Sequence, residues 1–298
     1  MTGPAPSDVA VVIPTYDYGR FVARAVQSAL DQTLPPVEVV VVDDGSTDDT
    51  PDVLRAFGSR IRVVRQANRG VAAARNRGAR ESSAGVLAFL DADDAWHPRM
   101  LAVTVAALRE RPEAGAVHCG LREVDEQGGE VGLTVSGWGG RIAEDLLMMR
   151  PVLPLTGSAS LVPRTVFEAL GGYDERLSTS ADWDLCLRIS LEHPIVFVPD
   201  ALVSYTLHRS NMHGDLTAME HDMRLGFEKA FTAHPELDHL RNPALARLYM
   251  TLSGSYLSSG ERRRALEYAI RSVRLSPVGL RHALGLPVRR LRRRLRPA

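Results

Sequence analysis

With 298 residues, 45% of them apolar and 24% charged, the chain has the composition of a globular protein with room for one large domain and an appendage, which excludes disorder as a whole-chain description. No apolar run approaches the ~18 residues of a membrane-spanning helix, so an integral membrane protein is not expected. The net charge of zero hides a split: residues 260–298 hold twelve Arg against Glu261 and Glu267, and residues 1–259 carry the balancing excess of ten acidic groups.

The acidic body is not expected to attract nucleic acid, whereas the basic tail suits an anionic surface. Residues 1–8 contain Pro and Ser but no apolar core segment, and read as a disordered start rather than a signal peptide. Cys119 and Cys186 lack metal-ligand spacing, which predicts two small core residues in a reduced, cytoplasmic setting.

Taken in order, Val9–Ile13 is a β-branched run ending at Pro14, and Phe21–Gln32 has helical periodicity. Val37–Val42 is a second buried strand, Thr50–Phe57 a helix, and Ile61–Val64 a third strand. Ala72–Glu81 is a helix, Val86–Leu90 a fourth strand, Met100–Arg109 a helix and Ala116–Cys119 a further strand. Uninterrupted apolar strands alternating with helices predict an α/β fold, a mostly parallel sheet covered by helices on both faces. Ligands bind such sheets at the carboxyl ends of the strands. Pro14-Thr15-Tyr16-Asp17, Asp43-Asp44-Gly45-Ser46 and Asp91-Ala92-Asp93-Asp94 all fall there.

Beyond residue 120 the alternation stops. Glu123–Gly132 reads as a turn between strands, Ser158–Val162 as a strand before the helix Thr165–Leu170, and Gly171-Gly172-Tyr173-Asp174 as a loop. Asp182–Leu191 is helical, and Ile195–Val198 and Leu202–Leu207 are two strands. The domain is expected to span 9–211, followed by a helical extension over 212–280 and an Arg-rich tail over 281–298. In the extension, Tyr249, Leu252, Tyr256, Ala265, Ala269 and Pro277 have the spacing of one tetratricopeptide unit, with Ser253 where a smaller residue is usual. One such unit cannot bury its own apolar face, so a hairpin packed on the preceding domain is expected rather than a partner-binding array.

Asp is common after strands as a helix cap, and Asp48 and Asp49 are read that way. Asp91, Asp93 and Asp94 are different, because three carboxylates directly after the apolar run Val86–Leu90 repel one another unless a cation lies between them. A hard cation such as Mg²⁺ takes one or two carboxylates with waters and phosphate oxygens. Asp93 is favoured as the ligand, with Asp91 facing a ribose or a metal-bound water.

Val12-Ile13-Pro14-Thr15-Tyr16, Ser28–Thr33, Val41–Asp48, Asn68-Arg69-Gly70 with Ala74–Gly78, and Phe89–Asp94, in this order, resemble family 2 glycosyltransferases with the GT-A fold. The resemblance covers roughly residues 8–211. It implies that Pro14, Thr15 and Tyr16 hold the nucleotide base, with Tyr16 stacked on it. It implies that Asp44 accepts a hydrogen bond from a uracil imide and that Asp43 bonds backbone amides. Arg75 is implied to reach toward the nucleotide or diphosphate, with Asn76 ordering its loop. Asp93 matches the metal-binding residue of the DxD motif, which implies Mn²⁺ or Mg²⁺ as the cofactor. Ser180–Arg188 resembles the family's Glu-Asp-x-Asp-Leu segment and puts Asp182 at the catalytic base, although Ala181 replaces the usual acidic neighbour. Asp184 and Arg188 are spaced for a structural ion pair. Gly171 and Gly172 permit a close approach to the donor sugar. Trp183 lines the acceptor site or is core. His208 lies where related enzymes place a histidine near the diphosphate or metal, or is structural.

The expectation is a metal-dependent inverting transferase that moves a sugar from a nucleotide-diphosphate sugar, UDP-linked by virtue of Asp44, to an acceptor hydroxyl. The acceptor is a saccharide, a lipid-linked saccharide or a small molecule, in polysaccharide, glycolipid or natural-product synthesis. A cytoplasmic location is expected, with peripheral contact to an anionic membrane through the tail. Two alternatives remain at this point. A sugar nucleotidyltransferase would carry a Gly-rich basic loop after the first strand, unlike Pro14–Arg20. A non-catalytic scaffold with an interaction tail is opposed by the joint presence of Asp44, Asp93 and Asp182.

Overall fold

The computed structural model describes residues 8–134, 137–208 and 215–276. Most of residues 1–8, read from the sequence as a disordered start, the Arg-rich tail and Pro277 lie outside these residues. The chain divides into two compact units, Met1–Ala143 with Pro151–Asn211, and Glu144–Arg150 with Met212–Ala298. The assignment of Glu144–Arg150 to the second unit differs from the continuous 9–211 stretch read from the sequence.

In the first unit, β1 (Val9–Thr15), β2 (Glu38–Asp43), β3 (Arg62–Arg65) and β4 (Val86–Phe89) form the order β3-β2-β1-β4, all parallel. Successive strand residues point to opposite faces. Val9, Val11, Ile13, Val39 and Val41 accordingly pack with Val22, Ala25, Val26 and Ala29 of α1 (Gly19–Leu30). Leu101 and Val105 of α4 (Met100–Glu110) belong to the same core. On the other face Val40 and Val42 meet Ala74 of α3 (Val71–Arg80). A short helix α2 (Thr50–Arg55) precedes β3.

The second half of the sheet is mixed, as the end of the strand–helix alternation beyond residue 120 allows. The two-residue strand β5 (Ala95–Trp96) follows the acidic cluster. β6 (Ala116–Val124) turns through Asp125 into β7 (Glu130–Thr134), and a turn this short permits only antiparallel pairing. Asp125 Oδ1 fixes the turn by accepting from the amides of Gln127 and Gly129 at 3.0 and 2.7 Å. β8 (Ser160–Pro163) inserts antiparallel between β4 and β6, and the helices α6 (Arg164–Ala169) and α7 (Ala181–Glu192) follow. The last strand, β9 (Ile195–Thr206), is one strand where two were expected. It runs parallel to β6 and antiparallel to β5, with register shifts opposite Gly120 that absorb the exposed Pro199 and Asp200. Cys119 and Cys186 are buried and free, as their spacing predicts.

His118 of β6 is buried, bonds the Pro154 carbonyl and has no partner for Nδ1 among the described residues. Burial depresses its pKa to about 4. Between pH 6.5 and 4 the unfolded chain therefore binds the proton that the folded chain refuses. The stability is complete above the unfolded value and declines as the pH falls through this window. Between pH 7 and 5, wild-type protein should lose about 2 kcal/mol more stability than His118→Leu, the contributions of other groups cancelling. Urea titrations of both proteins at the two pH values check this, and equal losses would remove the claim.

In the second unit, α5 (Ala143–Leu147) starts at the boundary residue, and α8 (Leu216–Ala233), α9 (Asp238–Ser258) and α10 (Arg262–Leu275) follow. α9 and α10 form a hairpin. The Ser253 hydroxyl donates to the Ala265 carbonyl at 2.7 Å, and the Tyr256 and Tyr268 rings stack 5.7 Å apart. Glu220 of α8 accepts from both tyrosine hydroxyls, that of Tyr256 at 2.8 Å, which ties the three helices together.

Candidate functional site

The carboxyl ends of β2, β1 and β4 lie side by side, so Asp44 and Asp91, which follow β2 and β4, are separated by two strand spacings, about 10 Å. Three neighbouring loops rise from this edge. The β1 loop is locked to the β2 loop: Asp17 Oδ1 accepts from the Thr47 amide at 2.6 Å, and the Tyr18 amide donates to Thr50 Oγ1 at 3.1 Å. Asp48 caps as expected, taking the Gly19 and Thr50 amides at 3.0 and 2.9 Å. Asp49 occupies the N-cap position of α2 without a side-chain cap bond, which corrects its reading as a cap. Pro14 and Thr15 end β1 as buried residues, and the Thr15 hydroxyl has no partner among the described residues. Tyr16 is 43% exposed and is therefore not a core tyrosine.

Asp43 is buried, accepting from the Ser46 amide at 2.8 Å and pairing with Arg65 at 3.2 Å. Asp44 is also buried. Its Oδ1 takes Gln66 Nε2 at 2.8 Å and the Arg69 amide at 3.0 Å, and its Oδ2 takes the Gly70 amide at 2.8 Å. These bonds fold the loop before α3 over the end of β2.

The three aspartates after β4 have three different partners. Asp91 Oδ1 pairs with Arg75 Nη2 at 2.6 Å. Asp93 Oδ2 lies 2.9 Å from His208 Nε2. Asp94 is fully buried, accepting from the Ser158 hydroxyl at 2.6 Å and the Thr206 amide at 3.0 Å, which fixes the acidic loop to β9. Burial first, and then the charge of Asp91, holds the Asp93 carboxyl above the ordinary carboxylate range. Burial and the charges of Asp93 and Asp91 push Asp94 well above it. The repulsion read from the sequence is thus present in the fold. The His208 ring stacks on Phe21 at 4.7 Å between centroids and meets Tyr18 edge-on at 5.8 Å. Arg24 of α1 supports the Asp93 backbone, donating to its carbonyl and to Thr206 Oγ1, both at 2.5 Å.

Asp182 opens α7. Its Oδ1 accepts from Arg75 Nη1 at 3.0 Å and from the Tyr173 hydroxyl at 3.1 Å. Burial raises its pKa, the Arg75 charge opposes that rise, and the Asp91 charge adds to it. The Arg75 side chain is 3% exposed, forked between Asp91 and Asp182 and lying over the Tyr173 ring. Gly157 makes room for it, since a Cβ there would sit 2.7 Å from Arg75 Nη2. Asn76 orders the loop, exchanging two bonds of 2.8 and 2.9 Å with the Tyr173 backbone. Arg188 pairs with Asp184 at 2.8 Å and donates to the Leu170 and Gly172 carbonyls, so the ion pair read from the helical spacing also holds the glycine loop. Gly171 and Gly172 have φ of 76° and 72°, a left-handed backbone that itself favours glycine. Trp183 is buried.

The fold thus brings Asp182, Arg75, Asp91, Asp93 and His208 into one connected cluster, with Pro14, Thr15, Tyr16 and Asp44 along the same strand edge. Sequence reasoning missed Arg24, Tyr173, Ser158 and Thr206 as supports of this cluster. Among the described residues no group of three or more His, Cys, Asp or Glu side chains is set to hold a metal ion. Asp93 and His208 nevertheless supply a carboxylate oxygen and an imidazole nitrogen 2.9 Å apart beside a further carboxylate. Two protein donors fit a hard divalent cation whose remaining positions are filled by water and phosphate oxygens.

The chain is similar over 161 residues, at 35% identity, to an uncharacterized glycosyltransferase of Nostoc sp., covering 53% of this chain and 48% of that protein. It spans about half the length of the curated relatives it matches. The fold matches S. aureus TarS 1-349 in complex with UDP-GlcNAc with a TM-score of 0.68 at 18% identity, over 90% of this chain and 81% of that one. It also matches the mannosyltransferase PcManGT of Pyrobaculum calidifontis in complex with GDP-Man and Mn²⁺, with a TM-score of 0.62 at 21% identity, over 95% and 82%. These two likenesses show the fold. The profile described as Glycosyl transferase family 2 matches residues 10–171, more than half of the chain, so this protein belongs to glycosyl transferase family 2, on a GT-A fold.

Proposed function

We propose that residues 9–211 transfer a sugar from a nucleotide-diphosphate sugar to an acceptor hydroxyl with inversion, and that 212–280 form a helical extension. The observation that carries this reading is the Arg75 fork, which ties Asp182 to Asp91 at 3.0 and 2.6 Å and so joins a base to the acidic loop. Tyr16, exposed beside the orphaned Thr15 hydroxyl, offers a face for the base to stack on. Asp44 and the loop it holds border the base, and the pyrimidine reading favours UDP. Asp93 and His208 would hold Mn²⁺ or Mg²⁺, with Asp91 beside them. Such an ion, when bound, neutralises the charge that develops on the leaving diphosphate. Asp182 takes the acceptor proton. Its side chain keeps 22% of its surface exposed, so an incoming hydroxyl can reach the carboxylate. Attack from the side opposite the leaving group inverts the anomeric centre and needs no covalent sugar–enzyme intermediate. The acceptor class is proposed to be a saccharide, free or lipid-linked, in polysaccharide synthesis. The Arg-rich tail is proposed to add contact with an anionic surface at the cytoplasmic membrane face.

Calorimetry with UDP in the presence and absence of Mn²⁺ tests the donor site. Asp93→Ala is expected to weaken metal-dependent UDP binding by at least about tenfold, because losing a ligand costs no less than losing an outer-shell partner. Unchanged affinity would refute the metal role. Release or transfer of sugar by the purified protein separates this reading from a binding scaffold.

A further inference from the structure

We propose that the outward face of α10 is a docking surface for an anionic lipid bilayer, an inference independent of the sugar-transfer reading. α10 buries Ala265, Tyr268 and Ser272 against its own unit. The opposite side carries Leu266, Ile270 and Val273, which are 63%, 44% and 45% exposed. At 100° per residue these three side chains fall within an arc of about 60°. Arg262 borders this stripe on one side, and Arg263 and Arg274 border it on the other, each within about 40° of the nearest apolar residue.

The arginines of α10 fall into two groups. Arg264 pairs with Glu261 at 3.5 Å, and Arg271 with Glu267 at 2.6 Å. Arg262, Arg263 and Arg274 have no acidic partner among the described residues. The uncompensated cations are thus the ones that flank the apolar stripe.

An exposed apolar stripe between unpaired cations is the pattern of a helix lying in a membrane interface. Its apolar side chains enter the acyl boundary while the guanidinium groups stay among lipid phosphates. A second copy of this face would bring the same unpaired arginines together and repel it. An anionic bilayer satisfies both features, and its surface potential also attracts the seven arginines of residues 281–298.

The test uses the full chain in co-sedimentation with phosphatidylcholine vesicles, with and without phosphatidylglycerol. Wild-type protein is expected to bind only the anionic vesicles, and less as salt is raised. Leu266→Ser/Ile270→Ser/Val273→Ser and Arg262→Gln/Arg263→Gln/Arg274→Gln should each lower the partition by at least about tenfold. Their melting temperatures should stay unchanged, because all six residues are exposed. Ile270→Cys labelled with an environment-sensitive fluorophore gives a second readout, since Cys119 and Cys186 are buried. Its emission should shift to the blue on anionic vesicles alone. Wild-type binding by both α10 variants, with loss only on neutralising the tail arginines, overturns the proposal. So does an unshifted label, or a dimer in solution that the serine variant abolishes.

Discussion

Asp182→Asn should lower the rate of sugar transfer by about 10²–10⁴-fold, the usual contribution of a general base. Its effect on UDP affinity should be small. The substitution keeps the size of the side chain and an oxygen that still accepts from Arg75 and Tyr173, so the cluster keeps its geometry. What disappears is the capacity to take a proton. The raised pKa of Asp182 gives the wild-type enzyme a distinctive pH profile. Burial favours the protonated acid, and the nearby Asp91 charge adds to this, so the base is lost on acidification at a higher pH than an ordinary aspartate would show. Arg75 limits that rise. The acid limb of kcat/KM in wild-type protein should therefore lie above the common carboxylate range, and the residual activity of the variant should lack it. Initial rates across the pH range, together with calorimetry for UDP, separate the two effects. Transfer near the wild-type rate by Asp182→Asn would exclude it as the base.

Much of this site was legible in the sequence because its framework is built from strands buried on both faces. Val39–Val42 and Val86–Phe89 are apolar without interruption, so the acidic residues that follow them had to fall on one edge of the sheet. The helical spacing of Asp184 and Arg188 was legible for the same reason, since a local rule fixed the pair. What the sequence could not reveal were the partners set by tertiary packing. Three adjacent aspartates look alike in sequence. Only β8 and β9 decide that Asp94 turns inward to Ser158 and Thr206 while Asp93 turns to His208. Pro199-Asp200 reads as a break between strands, yet β9 continues through it because a register shift against β6 leaves both residues on the surface. The buried course of Arg75 was hidden because its burial depends on Gly157, which lies 82 positions away in the chain.

That buried course makes Arg75 the residue on which stability and chemistry meet. Arg75→Met should destabilise the protein by about 3 kcal/mol, the lower end of the cost of removing one partner from a buried ion pair. The lower end applies because Asp91 and Asp182 keep about a fifth of their side-chain surface, 23% and 22%, and water screens them in part. For 298 residues unfolding together that corresponds to a fall of about 5 °C in melting temperature. The loss comes from two carboxylates left facing each other without the cation between them, so its pH dependence has a definite sign. Without Arg75 nothing opposes the rise of the Asp182 pKa above the unfolded value. The penalty is then largest at neutral pH and shrinks as the pH falls through that raised value, where the Asp182 carboxyl takes up a proton. Asp91→Asn in the Arg75→Met background should restore part of the stability at pH 7, which a double-mutant cycle of urea titrations would measure. If Arg75→Met is as stable as wild type at pH 7, or if the Asp91→Asn change restores nothing, the guanidinium is not the counter-ion that holds the base beside the acidic loop.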